Sequence, residues 1–151
     1  MGIDASVRRK EDVRFLTGRG TYTDDINRPG QLHAHVLRSP HAHAVIAGID
    51  TAKAGNAPGV AAIFTGSGLQ VAGLPCGWLV TSKEGSPMVE PPRPLLAQEK
   101  VRHVGDPVAL VVAETREQAK DAAELIEVDY KTLPAVVASD VAISPGSPQL
   151  F

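Results

Sequence analysis

The sequence predicts an α+β fold, a mixed sheet with a few packed helices. Three observations point there. Residues 31–50 (QLHAHVLRSPHAHAVIAGID) alternate in the manner of paired strands, and residues 108–113 form an unbroken apolar run. Between them and the alternating stretch 127–133 lies a capped helical pattern. Aromatic residues make up only 4% of the chain against 43% apolar residues, so Val, Ile, Leu and Ala must build the core. A chain of 151 residues is of single-domain size.

The first thirty residues are polar and rich in turn formers, with Gly18, Gly20, Asn27, Pro29 and Gly30 around a TYTDDI segment. They predict an extended arm, 1–30, that folds over its own sheet or lies along another subunit. The basic cluster Arg8, Arg9, Lys10 is interrupted by Glu11 and Asp12 and reads as a solvated terminus, with contact to a partner subunit as the alternative.

Next come two strands joined by a corner. Leu32, Ala34 and Val36 fall opposite His33, His35 and Leu37, and Ser39-Pro40 interrupts the run before an apolar segment resumes at Ala44. A hairpin would let His33, His35, His41 and His43 converge, and four imidazoles could hold zinc, copper or nickel. Asp24, Asp25 and Asp50 lie outside these pairs with no metal-ligand spacing, so structural histidines are the leading reading. Arg38 fits an anion site or, more ordinarily, a strand-end arginine holding carbonyls or a carboxylate.

TAKAGNAPG at 51–59 predicts a short helix with Asp50 or Thr51 as N-cap. VAAIFT at 60–65 reads as a strand buried on both faces. TGSGL at 65–69 lacks the glycine spacing and lysine of a phosphate loop and is expected to be a turn. Residues 70–94 hold five of the twelve prolines and form a long loop. Trp78 in its GWLV patch either pins the loop to its own domain, the favoured reading, or waits for something to pack against.

In VRHVGDPVA, His103 and Asp106 suggest an acid/base pair, which requires hydrogen-bond reach and a pocket. The alternative, preferred on turn chemistry, is a tight Gly105-Asp106-Pro107 turn in which Asp106 accepts backbone hydrogen bonds. Thr115 and Gln118 form a capping box, and Ala119, Ala122, Ala123 and Ile126 mark one helical face. Strand, helix and strand together predict a β-α-β unit, right-handed if its strands are parallel neighbours. The ending SPGSPQLF reads as a linker, 139–151, following a domain at 31–138.

Fifteen basic and seventeen acidic residues give a net charge of −2, which speaks against nucleic acid or a membrane surface as partner. No apolar run approaches the ~20 residues that cross a bilayer, and no secretion signal is recognisable. Cys76 is the only cysteine, consistent with a reducing compartment and a cytoplasmic protein, and far short of the four ligands an iron–sulfur cluster ordinarily takes.

GRGTYTDDI at 18–26, LHAHVLRSPHAHAVIAGID at 32–50, PGVAAIFTG at 58–66, LAQEKVRHVGDPVALVVAET at 96–115 and IEVDYKTLPAVV at 126–137 resemble, in order, the N-terminal part of molybdenum-hydroxylase large subunits. That is the xanthine dehydrogenase and aldehyde oxidase superfamily, and GLPCGWLV at 73–80 most resembles its carbon monoxide dehydrogenase-type branch. The resemblance implies an α/β hammerhead domain. It also implies that the pterin-binding and active-site segments, including the cysteine facing molybdenum in that branch, lie further along the parent chain. No catalytic, cofactor-binding or metal residue carries over.

The resemblance further implies a molybdopterin-type molybdenum cofactor in the parent enzyme, with iron–sulfur and FAD groups in partner subunits. The parent chemistry is oxidation or hydroxylation of a carbon centre using water. Partners are then the missing C-terminal molybdenum-binding domains and the iron–sulfur and flavin subunits, while apolar surface uncovered in an isolated piece would promote a homodimer. Interface candidates are Arg19, Tyr22, Asp24, Trp78, Gly105 and Asp106. The opening MGIDASVRRKEDVRFLTGRG is expected to be a genuine start. Against this structural and assembly role for an isolated, inactive piece of an oxidoreductase stand two others, an autonomous binding or regulatory module and a small His-rich metalloenzyme.

Overall fold

The computed structural model describes residues 9–69, 71 and 73–151, so Arg8 of the basic cluster and Gln70 at the start of the long loop lie outside the described residues. The chain divides into two compact units, Met1–Gln31 and Leu32–Phe151. The first holds helix α1 (Asp12–Leu16) and a 3-10 turn at Thr23–Asp25. In that turn the Asp25 carboxylate accepts the Tyr22 N–H at 2.9 Å.

Among its described residues the second unit contains six strands and three α-helices. They are β1 (His33–Arg38), β2 (Ala44–Asp50), α2 (Ala52–Gly55), β3 (Val60–Thr65), β4 (Lys100–Val101), β5 (Pro107–Ala113), α3 (Arg116–Glu124), β6 (Glu127–Thr132) and α4 (Ser139–Ala142). The strands form two three-stranded sheets, ordered β1-β5-β3 and β4-β2-β6, and every pairing is antiparallel. The α+β class stands, with the strands shared between two sheets.

Three expectations about pairing are corrected. First, β1 and β2 form no hairpin, since β1 pairs with β5 while β2 pairs with β4 and β6. The Ser39 N–H donates to the Asp106 carbonyl at 2.9 Å and Ser39 O accepts the Gly105 N–H at 2.8 Å, which fixes the corner to a distant turn instead of folding it back. Second, β5 and β6 flank α3 but belong to different sheets, so no parallel crossover exists. Third, β3 is an edge strand with Phe64 40% exposed, not a strand buried on both faces.

The helical pattern forms as its spacing requires. Gln118 N–H donates to Thr115 Oγ1 at 3.1 Å and Thr115 N–H to Gln118 Oε1 at 3.0 Å, satisfying two otherwise orphaned donors at the start of α3. Ala119, Ala122 and Ala123 are buried. Small side chains let α3 lie close on Ala109 and Val111 of β5, with Leu37, Ile63 and Ile126 filling around them. A second cluster, Ala44, Ala97, Val101 and Val108, lies against Ile46 and Tyr130, and Ile49 and Val128 pack against both clusters. At Gly66 the backbones approach so closely that a Cβ would stand 2.2 Å from the Ala97 carbonyl oxygen, so only glycine fits there.

Candidate functional site

The corner between β1 and β2 gathers most of the residues singled out for chemistry. Arg38 Nη1 donates to the Gly105 carbonyl at 2.9 Å, as expected of a strand-end arginine. Ser39 Oγ accepts the His41 N–H at 3.0 Å, and the Tyr130 hydroxyl hydrogen-bonds to Ser39. The His41 ring meets Tyr130 edge-on at 4.8 Å between centroids. Burial pushes the Tyr130 hydroxyl above its ordinary 10.0; the Ser39 hydrogen bond opposes this and the nearby Asp106 charge adds to it.

Asp106 sits in a turn whose Gly105 has φ +86°, a left-handed backbone that glycine adopts without strain. Its Oδ2 accepts the Arg102 N–H at 2.9 Å. His103 Nε2 stands 3.8 Å from Asp106 Oδ1, beyond hydrogen-bond reach, and its Nδ1 lies 3.0 Å from the Val104 carbonyl. This is the turn arrangement, with Asp106 spent on the backbone and not presented as a base.

The histidines are separated by the sheet pairing. His33 and His35 lie on the side of β1 that carries Leu37, opposite Ala113 and Val111 of β5, the side covered by α3. His43 is buried on the other sheet's side, and its Nδ1 lies 2.8 Å from the Pro134 carbonyl. Because a carbonyl only accepts, Nδ1 carries the proton and Nε2 is left as a buried acceptor that finds no partner among the described residues. Among the described residues, no three His, Cys, Asp or Glu side chains are grouped to hold a metal ion.

The long loop departs from its favoured reading. Trp78 is 80% exposed and pins nothing; Leu79, Val80 and Val89 are exposed with it. Residues 80–88 form a short finger, with Met88 N–H donating to Val80 O at 3.0 Å, Ser82 N–H to Ser86 O at 2.8 Å and a bridge between Thr81 and Pro87. Cys76 stands at its base, with its N–H donating to Glu90 Oε1 and its thiol 3.3 Å from the Trp78 carbonyl. A cleft of about 590 Å³ lined by Gly73, Pro75, Glu90, Arg93, Glu99 and Arg102 runs beside this loop. Glu90 and Glu99 are the carboxylates of this cleft, which no thiol lines, so the described residues around it offer molybdenum no set of converging ligands.

A second depression is apolar. Val36, Phe64, Leu69, Leu95 and Leu110 line a groove of about 370 Å³ on the face of the β1-β5-β3 sheet away from α3, and Arg38 is its single ionic residue. Sequence reading missed this groove because its residues come from three strands and two loop ends, and only the pairing brings them together. It also missed Arg102, whose guanidinium lies over the Phe151 ring at 4.9 Å and whose Nε donates to the Leu150 carbonyl at 2.9 Å. The segment expected as a linker thus carries α4 and returns to the Arg102 turn.

Gly105 and Asp106 therefore share the Ser39 corner, and Trp78 stands just before the finger. Arg19, Tyr22 and Asp24 belong to the unit Met1–Gln31, where Tyr22 stacks on Phe15 at 5.6 Å and Arg19 N–H closes on the Arg14 carbonyl. Among the described residues no helix is long and apolar enough to cross a membrane.

Residues 17–134 match the family described as aldehyde oxidase and xanthine dehydrogenase, a/b hammerhead domain. The nicotine 6-hydroxylase large subunit of Paenarthrobacter nicotinovorans is 44% identical over 95% of this chain and 17% of its own length. The crystal structure of quinoline 2-oxidoreductase from Pseudomonas putida 86 superimposes with a TM-score of 0.78 at 43% identity, covering 94% of this chain and 18% of that one. The carbon monoxide-reduced Cu,Mo-CO dehydrogenase gives 0.76 at 39% identity, covering 97% and 18%. The chain spans less than a fifth of the length of each of these relatives. With a family match over residues 17–134 and relatives above 40% identity across nearly the whole chain, the chain belongs to the aldehyde oxidase and xanthine dehydrogenase family, within its a/b hammerhead domain.

Proposed function

We propose that this chain is a structural and assembly domain of a molybdenum-cofactor oxidoreductase large subunit. The cofactor and the reacting groups are carried by the part of the large subunit that this chain does not span, and iron–sulfur and flavin subunits take up the electrons. The observation that carries this reading is the division of labour on its surface. The chemically suggestive residues, Asp106, Ser39 and His43, are spent on the chain's own backbone, whereas large apolar residues in the groove and on the finger stand open. Trp78, Gly105 and Asp106 in the larger unit, and Arg19, Tyr22 and Asp24 in the smaller one, are the proposed contacts to the remaining domains, to partner subunits and to a second copy. The lone Cys76 supports placing the protein in the reducing cytoplasm.

Native mass spectrometry with elemental analysis tests this. The purified chain is measured alone and after mixing with a related large subunit from which the matching segment has been removed. The expected result is a chain that carries no molybdenum by itself and forms a one-to-one complex with the remainder. Molybdopterin bound to the chain alone would overturn the assignment of the cofactor to other segments. Stoichiometric zinc or copper, lost on replacing His41 and His43, would replace the assembly reading with a metalloprotein.

A further inference from the structure

We propose that Arg102 is a latch: its side chain holds the segment Leu150–Phe151 across the neck of the long loop, and the loop loosens when that segment lets go. Arg102 meets the segment in two ways, with Nε donating to the Leu150 carbonyl at 2.9 Å and the guanidinium lying over the Phe151 ring at 4.9 Å. A planar guanidinium serves both contacts at once, an edge for the carbonyl and a face for the ring. The backbone of Arg102 is fixed separately, since its N–H donates to Asp106 Oδ2 at 2.9 Å. The latch is therefore mounted on the Asp106 turn, and replacing its side chain leaves that hydrogen bond of the turn in place.

The neck is the place where the two ends of the loop meet. There the Leu74 N–H donates to the Arg93 carbonyl at 2.8 Å. The backbones run so close that a side chain at Gly73 would collide with that carbonyl. Phe151 lines a recess of about 390 Å³ together with Leu74 on one side of the neck and Pro91, Pro92 and Leu95 on the other. A ring seated there covers both sides, and withdrawing it opens the Leu74–Arg93 hydrogen bond to water. The hold is a light one, because Phe151 remains 63% exposed and Leu150 37% exposed. One hydrogen bond and one ring face then carry most of it, and such a contact opens and recloses far more readily than the core. The segment that follows α4 thus controls how firmly the loop bearing Trp78 is held. The latch rests on contacts within this chain alone and stands apart from the assembly reading.

Hydrogen exchange of the 151-residue chain, followed residue by residue by NMR, tests the latch. The Leu74 amide reports the neck, and the Ala119 amide, which donates to the Thr115 carbonyl inside α3, is the control. Arg102→Gln and Phe151→Ala should each speed Leu74 exchange about two- to tenfold and leave Ala119 unchanged. In combination they should act no more strongly than either alone, because both break the same contact. Phe151→Leu, which keeps apolar bulk but has no ring face, should behave as Phe151→Ala. Leu74 exchange unmoved by the single variants, effects that add in the double variant, or Ala119 exchange rising in step with Leu74 would overturn the proposal. So would full protection in Phe151→Leu, since apolar packing and not the guanidinium would then hold the segment.

Discussion

The two faces of the β1-β5-β3 sheet are built from alternate residues of the same strands, yet one is closed and the other is open. On the closed face Ala109 and Val111 meet Ala122 and Ala123 of α3, and all four are buried. On the open face Val36, Phe64 and Leu110 line a groove. Along β5 the open side carries the larger side chain, Leu110 against Ala109 and Val111. Closure therefore follows not from hydrophobicity alone but from whether a helix with small residues is tethered nearby to lie on the sheet, and α3 follows β5 directly. A face of large apolar residues left without such a helix supports the proposed contact with the rest of a large subunit.

The first way to break this comparison is to remove equivalent apolar mass from both faces. Val111→Ala on the closed face should cost about 2–3 kcal/mol of folding stability, from lost burial plus the cavity left among the alanines. Val111 is 0% exposed, so no solvent relaxes into the gap. Leu95→Ala in the groove removes more atoms but should cost under about 1 kcal/mol, because Leu95 is already 42% exposed in the free chain. Urea unfolding of the isolated chain measures both. A larger loss for Leu95→Ala would mean that the groove is already core.

A smaller effect sharpens the account of why α3 holds its face in place. Thr115→Ala removes the side-chain acceptor for the Gln118 N–H and should lower stability by about 1 kcal/mol. Thr115→Ser, which keeps the oxygen, should restore most of it, and the unfolding midpoints of the two variants decide whether the cap or merely the threonine methyl is responsible.

The Ser39 corner adds a pH dependence that α3 does not share. Burial raises the Tyr130 pKa above 10.0, so the folded state favours the neutral phenol more than the unfolded chain does. That contribution is fully present below pH 10 and is lost as pH rises through the higher value of the folded state. The melting temperature should therefore fall between pH 9.5 and pH 11 more steeply in the wild type than in Tyr130→Phe. Equal slopes would show that the corner leaves the hydroxyl unprotected.

Where the fold was legible in the sequence, the signal was local. The capping box of Thr115 and Gln118 and the i, i+3, i+4, i+7 alanine stripe are complete within twelve residues, and both formed as read. The Gly105-Asp106 turn was legible for the same reason, since glycine, aspartate and proline carry their conformational preferences with them. Strand pairing was not legible. Nothing in residues 31–50 says that Ser39 will be held by Asp106 and Gly105, more than sixty positions away, and that long-range hydrogen bonding sends β1 and β2 to different sheets. The same pairing placed the histidines, with His35 beside Val111 and His43 beside Pro134. Trp78 was misread because an apolar patch in a loop looks alike whether it packs at home or elsewhere; the sequence holds no sign of the difference.

The smallest expected effect concerns a long-range side-chain ion pair outside the corner, between Lys53 of α2 and Glu127 of β6. It joins the helix that follows β2 to the strand that pairs with β2, so it looks like a clasp. The hydrogen bond to Glu127 and its charge raise the Lys53 pKa, with burial opposing and Asp50 adding a little. A lysine with a raised pKa contributes stability below 10.5 that disappears only as pH rises through the raised value, so at neutral pH the pair is fully formed. Both side chains are nevertheless two-thirds exposed, at 67% and 66%, and water and salt screen what they gain. β2 and β6 are already fixed by the register from Ala44–Thr132 to Asp50–Glu127 and by Ile49 and Val128 in the core. Lys53→Ala should thus leave the unfolding midpoint unchanged at physiological salt, and a clear fall would show that α2 is held by charge where its buried Ala54 indicates packing.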